Sequence, residues 1–363
     1  MTNAVTIAQQ GSNNTTFRNR IINGAMVIDQ RNAGASVTQT TSAPYTLDRF
    51  YCFGSVSSKF TVQQNAGSIT PPTGFINYLG ATSSSAYTVG STEQFNIAQP
   101  IEGLNCTDLG WGASGASSVT LSFWVRSSLT GTFGGSLRNS ATNYSYPFSY
   151  TISSANTWTS IAITIAGPTS GTWLTTNGVG IYVNFSMGAG STLSGTAGSW
   201  SANNYTSATG ATSVVGTNGA TFYITGVQLE AGSAASPFEY RSYGTELALC
   251  QRYYEKSFDI GTAVAQNSGT YNGTAVAPSP GALSGMSFGD TRYKVNKRNA
   301  ATVTFYNPAA ANAFARDQNA GVNCTATSAW MAGESSFGIS ANTPVGSGVT
   351  NRIAVHWSAD SEL

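Results

Sequence analysis

Charge is scarce in this chain of 363 residues. Charged side chains make up 9% of the sequence, against about 25% in an ordinary soluble domain. Asp and Glu are missing altogether between Leu109 and Leu229, where only Arg126 and Arg138 are charged. Because glycosidases need a pair of carboxylates across the scissile bond, this stretch cannot supply such a pair by itself.

Catalytic motifs are missing as well. His356 is the sole histidine, so any Ser–His or Cys–His mechanism would have to use it. It lies between Val355 and Trp357 in a strand-like run, and no nucleophile elbow, phosphate-binding loop or dinucleotide fingerprint is present. We therefore predict a structural histidine, a protein that is not an enzyme, and no cofactor.

The sequence also lacks the features of several other protein classes. No apolar run approaches the ~20 residues of a membrane span, and the N-terminus has no signal-peptide pattern. A net charge of +1 provides no basic surface for a nucleic-acid backbone. The cysteines are widely spaced, which favours buried thiols over a metal site or disulfide framework; they are Cys52, Cys106, Cys250 and Cys324. We predict no metal, no nucleic acid and no membrane insertion.

What the chain does contain is short apolar segments separated by turn-forming residues. Aromatic residues reach 11% and the net charge is near zero, which is unlike a disordered chain. Clear strand-like segments are 119–125, 158–165, 179–185 and 221–229. Each is bounded by Gly, Asn, Pro or Ser clusters, and this spacing predicts an all-β protein containing a β-sandwich.

The pattern divides the chain into four predicted segments. These are an N-terminal arm for attachment or oligomerisation (1–47), a jelly-roll-like β-sandwich (48–240), a short helical junction (241–256) and a smaller C-terminal β domain (257–363). Within the junction we predict a helix over 246–255, which Thr245 can cap.

Charges gather at the end of the predicted sandwich. Glu230, Glu239, Arg241 and Arg252 occur close together in a chain that is otherwise almost uncharged. We predict that they form a partly buried ionic cluster that fixes the two β domains relative to each other. Removing one partner from such a cluster leaves an unpaired charge, which is costly in a buried site.

Aromatic residues in turn-rich stretches are the remaining candidates for ligand binding. Trp173 and Trp200 lie beside Asn and Ser, and Tyr144 and Tyr205 have similar surroundings. Rings and amides together can stack on a sugar and bond its hydroxyls. Each residue alone is more typical of a loop anchor folded onto the sandwich, so the binding hypothesis depends on their forming one exposed patch.

Several segments resemble those of bacteriophage tail-fibre and virion surface proteins. They are 227–230 (VQLE), 237–239 (PFE), 246–247 (EL), 250–254 (CQRYY), 23–24 (NG), 30–31 (QR), 48–50 (DRF), 356–360 (HWSAD) and 362–363 (EL). The strand-like order also resembles jelly-roll carbohydrate-binding modules, through 122–126 (SFWVR), 156–158 (NTW), 180–183 (GIYV) and 222–227 (FYITGV).

The first resemblance implies a virion protein that is made in the host cytoplasm and carried on the tail or capsid surface. It implies a homotrimeric tail-fibre or surface-appendage adhesin that contacts host-cell glycans and joins other virion proteins through its N-terminal arm. Two alternatives remain. One is a non-adhesive structural component, such as a capsid decoration, head fibre or tail adaptor. The other is a polysaccharide depolymerase that assembles carboxylates from different segments or subunits.

Overall fold

The computed structural model describes residues 17–279, 281–344 and 348–363. Within these ranges the chain forms two compact units. The first contains 17–27, 34–242 and Leu363, and the second contains 28–33 and 243–362.

The first unit is built almost entirely of β-strands. In chain order they are β1 (Val37–Thr38), β2 (Tyr45–Leu47), β3 (Phe50–Gly54), β4 (Phe60–Gln64), β5 (Leu79–Ser83), β6 (Gln94–Glu102), β7 (Val119–Ser127), β8 (Gly131–Arg138), β9 (Ser145–Ile152), β10 (Thr159–Ile165), β11 (Val179–Ala189), β12 (Ser194–Gly195), β13 (Ser207–Ala208) and β14 (Thr221–Ala231). Short 3-10 helices occur at Ala66–Ser68, Gly103–Asn105, Thr107–Leu109 and Ser191–Leu193.

These strands form two antiparallel sheets and one small parallel pair, β12 with β13. The first sheet has the order β1-β4-β5-β14-β7-β10, and the second has the order β2-β3-β6-β11-β8-β9. The chain repeatedly changes sheet, for example from β5 to β6, from β6 to β7 and from β7 to β8. Such crossing between sheets is typical of a jelly roll, and it confirms the predicted jelly-roll-like β-sandwich.

Alternating side chains form the core of the first unit. In β7, Leu121, Phe123 and Val125 are buried in the core, whereas Ser122 and Trp124 point to the other face and are partly exposed. Period-two alternation is the geometry of any strand. Full burial of one large apolar side chain contributes about 1.5–3 kcal/mol. The same alternation decides which residues lie on the outward face of the second sheet.

The described part of the predicted arm, residues 17–47, packs into the units. Ile21 and Met26 belong to the core of the first unit, and Asn19 Nδ2 donates a 3.0 Å hydrogen bond to the Val227 carbonyl. Residues 28–33 belong to the second unit. Apolar side chains of 17–27 and 34–47 thus contribute to the core of the first unit, while attachment or oligomerisation through the predicted arm (1–47) stays a prediction. An attachment role for residues 1–16 lies outside the described residues.

The second unit contains helix α1 and the remaining strands. They are α1 (Tyr243–Gln251), β15 (Tyr254–Lys256), β16 (Ala275–Pro278), β17 (Leu283–Arg292), β18 (Thr302–Tyr306), β19 (Arg316–Asp317), β20 (Val322–Asn323), β21 (Thr325–Trp330), β22 (Ser336–Thr343) and β23 (Arg352–Asp360).

Strand β23 organises this second unit. It pairs with β15 and β18 along its C-terminal half and with β16 and β19 along its N-terminal half, while β17, β22 and β21 form a separate sheet. Phe305, Phe337, Val355 and Trp357 lie in the core. The unit confirms the predicted smaller C-terminal β domain.

Helix α1 differs from the prediction at both ends. It begins at Tyr243, so Thr245 lies inside the helix, and it ends at Gln251. The residues that follow, Tyr254–Lys256, pair with Ser358–Asp360 as β15. Strand pairing thus overrides the local helical pattern, because propensity is weak beside tertiary contacts. No helix in the described ranges is long and apolar enough to cross a membrane.

The cysteines match the prediction. All four are buried, and none of them forms a disulfide within the described residues. Burial raises the pKa of the Cys52 and Cys106 thiols to about 12. Both thiols therefore stay protonated at neutral pH and act as small apolar side chains.

Candidate functional site

Three of the predicted ligand-binding aromatics pack against one another. The rings of Tyr144 and Trp200 stack with centroids 5.8 Å apart, and Trp173 meets Trp200 edge-on at 5.3 Å. Trp111 lies 4.8 Å from Trp173, and Tyr146 lies 5.1 Å from Trp200. We call these five residues the aromatic cluster.

The indole N–H groups of the aromatic cluster are used within the protein. Trp111 donates to the Ser117 carbonyl at 2.9 Å, Trp173 to the Ser170 carbonyl at 3.1 Å and Trp200 to the Ala166 carbonyl at 2.7 Å. Indoles that pack together and donate to nearby backbone are typical of loop anchors. Ligand binding by Tyr144, Trp173 and Trp200 stays a prediction, while their geometry favours a role in holding loops.

Tyr205, the fourth predicted aromatic, packs over Gly195. A Cβ atom at Gly195 would come within 2.3 Å of Tyr205 Cδ2, so only glycine fits beneath this ring. The Tyr205 backbone N–H donates to Ser145 Oγ at 3.1 Å. Its ligand role also stays a prediction.

A cleft lies on the outward face of the second sheet. Its volume is about 420 Å³, and its lining includes Tyr51, Gln94, Asn96, Arg138, Tyr182 and Asn204. These residues come from β3, β6, β8 and β11 and from the loop before β13. We call it the Arg138 cleft.

Strand alternation explains why these side chains line the cleft. Tyr182 lies between the core residues Ile181 and Val183, and Asn96 likewise lies between two core residues of β6. Neighbouring residues in a strand point to opposite faces. Antiparallel pairing then places Tyr182 directly opposite Arg138 on the adjacent strand.

Arg138 supplies a buried positive charge to the cleft. It is 6% exposed, and it donates from Nη1 to Asn204 Oδ1 at 2.6 Å and from Nη2 to Asn184 Oδ1 at 3.3 Å. Its Nε–H has no acceptor among the described residues. Burial lowers the pKa of Arg138, but arginine is not deprotonated in proteins.

A buried acceptor lines the same cleft. Asn96 Nδ2 donates to Gln94 Oε1 at 3.1 Å, whereas Asn96 Oδ1 is buried without a donor in the part of the chain that the structure describes. Burial raises the pKa of Tyr51 and Tyr182, so both hydroxyls stay protonated at neutral pH. The cleft thus combines a cationic donor, an open acceptor and two tyrosines.

The aromatic cluster and the cleft share their supporting loops. Ser145 and Ser201 exchange two backbone hydrogen bonds of 2.9 Å. Tyr144 and Trp200 are the residues just before them, and Asn204 follows three residues after Ser201. The stacked Tyr144 and Trp200 rings therefore help to fix the loop whose amide accepts from Arg138.

The sequence alone does not reveal the cleft. Arg138 is conspicuous as one of two charges in a carboxylate-free stretch, but nothing in the local sequence connects it with Tyr51, Asn96 or Tyr182. A signal was present in β11, where Tyr182 and Asn184 alternate with core residues. Predicting the cleft would also have required the register between β11 and β8.

Two of the predicted junction charges form an ion pair in the first unit. Arg241 Nη2 lies 3.2 Å from Glu239 Oε2. Glu239 accepts a 2.6 Å hydrogen bond from the Asn19 N–H, and Arg241 donates to the carbonyls of Asn19 and Ile21. The pair therefore holds the N-terminal segment in place.

Glu230 and Arg252 lie in different surroundings. Glu230 is buried, accepts from the Ser236 N–H at 2.8 Å and lies 3.6 Å from Arg18 Nε. Arg252 follows α1 in the second unit, where its carbonyl accepts from the Arg298 N–H at 3.0 Å. A single cluster of all four charges that fixes the two units stays a prediction.

Other phage-like segments contact each other in the second unit. Arg31 pairs with Asp360 at 2.8 Å and with Glu362 at 3.0 Å, and its guanidinium lies 3.8 Å from the ring centre of Tyr254. Gln30 Nε2 donates to the Tyr254 carbonyl at 2.9 Å. These segments therefore form part of the structural framework.

The sole histidine is buried and has hydrogen-bond partners on both ring nitrogens. His356 is fully buried in β23, with Nε2 3.0 Å from the Thr270 carbonyl and Nδ1 2.9 Å from Ser257 Oγ. Since a carbonyl can only accept, Nε2 carries the proton and Ser257 donates to Nδ1. Among the described residues, no three His, Cys, Asp or Glu side chains are grouped to hold a metal ion.

No family model and no curated protein matches this chain. Solved structures with a similar chain trace include the enzymatically active domain of bacteriophage CBA120 tailspike protein 4, at 14% identity and a TM-score of 0.34. That match covers 59% of this chain and only 21% of the tailspike chain.

Two further solved structures have printed descriptions that mention sugars. One is TmCBM61 in complex with β-1,4-galactotriose, at 11% identity and a TM-score of 0.30, covering 59% of this chain and 99% of that one. The other is a putative sugar binding protein from Bacteroides thetaiotaomicron. It has 11% identity and a TM-score of 0.34, and the match covers 59% of this chain and 100% of that one. Scores this low carry no argument about function.

Proposed function

We propose that this chain is a bacteriophage virion surface protein, a tail-fibre or surface-appendage adhesin whose Arg138 cleft binds host-cell glycans. The observation that carries the binding proposal is the cleft itself, in which buried Arg138 and Asn96 have polar atoms without described partners and which two tyrosines also line. The virion proposal is supported by the sequence segments that resemble phage proteins.

The chemistry of the cleft suits a saccharide. Sugar hydroxyls both donate and accept hydrogen bonds, and the cleft offers the amides of Gln94, Asn96 and Asn204 for both purposes. The rings of Tyr51 and Tyr182 add surfaces on which a sugar can stack. Its volume of about 420 Å³ is within the range of about 300–1,000 Å³ common for ligand sites.

The lining supports binding without hydrolysis. None of the described residues that line the cleft is Asp, Glu or His. A glycosidase requires two carboxylates at the scissile bond, so a depolymerase would need groups from elsewhere. We therefore do not propose hydrolysis at this cleft.

Assembly belongs to the same proposal. We propose that the protein is made in the host cytoplasm, carried on the virion tail or capsid, and assembled as a homotrimer that contacts other virion proteins through its N-terminal residues. Several identical clefts on one particle would multiply weak single-site affinity through effective concentration. Mass measurement of the purified chain tests the trimer, and a monomer at micromolar concentration would contradict it.

The binding proposal is tested on purified full-length chain. Tyr182→Ala should weaken binding to immobilised surface polysaccharides of susceptible bacteria at least tenfold, because a stacking surface beside Arg138 is lost. Tyr240→Ala is the matched control, since Tyr240 is exposed and lies outside the cleft lining. Equal binding by wild type and Tyr182→Ala would move the contact away from this cleft.

A non-adhesive structural component is the competing function. It is favoured by the use of the phage-like segments as framework, as in the Arg31 ion pairs with Asp360 and Glu362. It predicts no polysaccharide binding by the wild-type chain and normal adsorption by virions that carry Tyr182→Ala.

A further inference from the structure

We infer that the glycan bound in the Arg138 cleft is acidic, and that one of its carboxylates is the counter-ion of Arg138. This inference rests on the proposed function and names the ligand class of the same site. It is carried by the buried charge, by the Arg138 Nε–H that lacks an acceptor and by the Asn96 Oδ1 that lacks a donor in the described residues.

Among the described residues, the Arg138 guanidinium lies 5.6 Å from the ring centre of Tyr182 but has no carboxylate within ion-pair distance. Its hydrogen-bond partners are the neutral amides of Asn184 and Asn204, and no ion pair involving Arg138 is formed within the described residues. Burying an unpaired charge is costly. The sequence reinforces this, because the strands around Arg138 come from the stretch without Asp or Glu.

The second unit contains a buried cation that forms an ion pair. Lys297 is fully buried, and its Nζ lies 2.6 Å from Glu255 Oε2. Nζ also donates to the carbonyls of Gln251 and Val295, at 2.6 and 3.0 Å. The buried charge of Lys297 thus has a carboxylate beside it. In the Arg138 cleft, no carboxylate side chain of the described residues forms such a pair.

The geometry of Arg138 fits a carboxylate. Nε and Nη2 lie along one edge of the guanidinium, where Nε has no acceptor and Nη2 makes only the 3.3 Å contact with Asn184. Parallel bonds from two such N–H groups to the two oxygens of a carboxylate form a strong bidentate pair. The edge is thus suited to a planar anion.

Asn96 indicates that the anion belongs to a larger, hydroxylated molecule. Its Oδ1 is a buried acceptor without a described donor, and a carboxylate cannot donate to it. A sugar hydroxyl can. One ligand that satisfies both Arg138 and Asn96 therefore carries an anionic group and a hydroxyl, as a uronic acid or another carboxylated sugar does.

An array of paired glycans tests the inference on the full-length chain. Each pair consists of a bacterial polysaccharide that contains carboxylated sugars and the same polysaccharide after chemical reduction of its carboxyl groups, and sulfated polysaccharides are printed beside them. Wild-type protein should bind a carboxylated member at least tenfold better than its reduced partner.

Two variants assign the selectivity to this cleft. Arg138→Gln should lose the preference for the carboxylated member, whereas Arg126→Gln, a matched change at an arginine outside the cleft lining, should keep it. If Arg138→Gln fails to fold, Asn96→Asp is the second test. It places a fixed carboxylate in the cleft at almost unchanged volume and should also abolish acidic binding.

The outcomes separate the two proposals. Equal wild-type binding to both members of a pair, or binding to sulfated members alone, overturns the carboxylate inference and leaves glycan binding standing. Retained selectivity in Arg138→Gln or Asn96→Asp also overturns it. An array with no wild-type signal on any glycan overturns the proposed function, and the inference with it.

Discussion

Arg138 in the first unit and Lys297 in the second are both buried cations, but their surroundings differ. Lys297 Nζ contacts Glu255 at 2.6 Å and two backbone carbonyls. Arg138 contacts two neutral amides and keeps its Nε–H without an acceptor in the described residues. Burial lowers the pKa of both side chains, while Glu255 raises that of Lys297 again.

This difference separates a structural charge from one available to a ligand. A buried cation that already has its carboxylate has little to offer a ligand, and removing the carboxylate damages the fold. A buried cation without one is a cost to the free protein that a bound anion can relieve. Functional sites often retain such locally unfavourable arrangements.

The largest expected effect comes from breaking the structural pair. Glu255→Gln should lower the stability of the second unit by about 3–5 kcal/mol, because Lys297 is left as a buried unpaired charge. Hydrogen exchange of the β23 amides measures this loss. The double variant Glu255→Met with Lys297→Met should lose less, since it removes both charges. Equal losses would show that the charge itself is not the cause.

A smaller effect is expected from the aromatic cluster. Trp200→Ala should cost about 2 kcal/mol, below the 3–5 kcal/mol of a fully buried tryptophan, because Trp200 is only half buried. Hydrogen exchange of the β9 amides is the measurement. Trp200→Phe, which keeps ring packing but not the bond to the Ala166 carbonyl, should lose less. Unchanged stability in Trp200→Ala would show that Trp200 does not hold the loops, and it would favour Trp200 as a ligand-binding residue.

A change of pH tests the buried histidine. Burial lowers the pKa of His356 below its ordinary value of 6.5, so below pH 6.5 the unfolded chain binds the proton more readily than the folded chain. The second unit should therefore lose stability as pH falls below about 6.5, by at most about 1.4 kcal/mol per pH unit for one proton. Exchange at β23 should show this slope, and His356→Gln should reduce it.

The smallest stability effect is expected at Arg138. Arg138→Met should change the stability of the first unit by less than about 1 kcal/mol, because the desolvation cost of the cation is removed together with its bonds to two amides. Urea unfolding followed by tryptophan fluorescence of the first unit measures it. A loss of stability as large as that of Glu255→Gln would show that Arg138 is a structural charge, as Lys297 is.

Local patterns were sufficient for several strands of the first unit. The segments 119–125, 158–165 and 221–229 were predicted from alternation and turn residues, and the structure has strands at Val119–Ser127, Thr159–Ile165 and Thr221–Ala231. They succeeded because period-two burial is a property of each strand alone. The helix was misplaced because β15 depends on β23, which is about 100 residues away.

Residue chemistry was less informative about the candidate site. Trp173, Trp200 and Tyr144 were selected as ring-bearing loop residues, and the structure does bring them together, with their indole N–H groups directed to backbone carbonyls. A sequence shows that a tryptophan is present, but not whether its N–H already has a partner. That depends on the path of the neighbouring loop.

The sequence by itself determined the all-β class, the carboxylate-free central stretch and the buried thiols, because these follow from composition and from the alternation of neighbouring residues. Tertiary structure alone decided that Arg138, Asn96 and Tyr182 share one cleft. They lie on different strands, and only the register of β6, β11 and β8 brings them to one face. Register is set by long-range pairing and by burial of the opposite face, so local sequence does not reveal it.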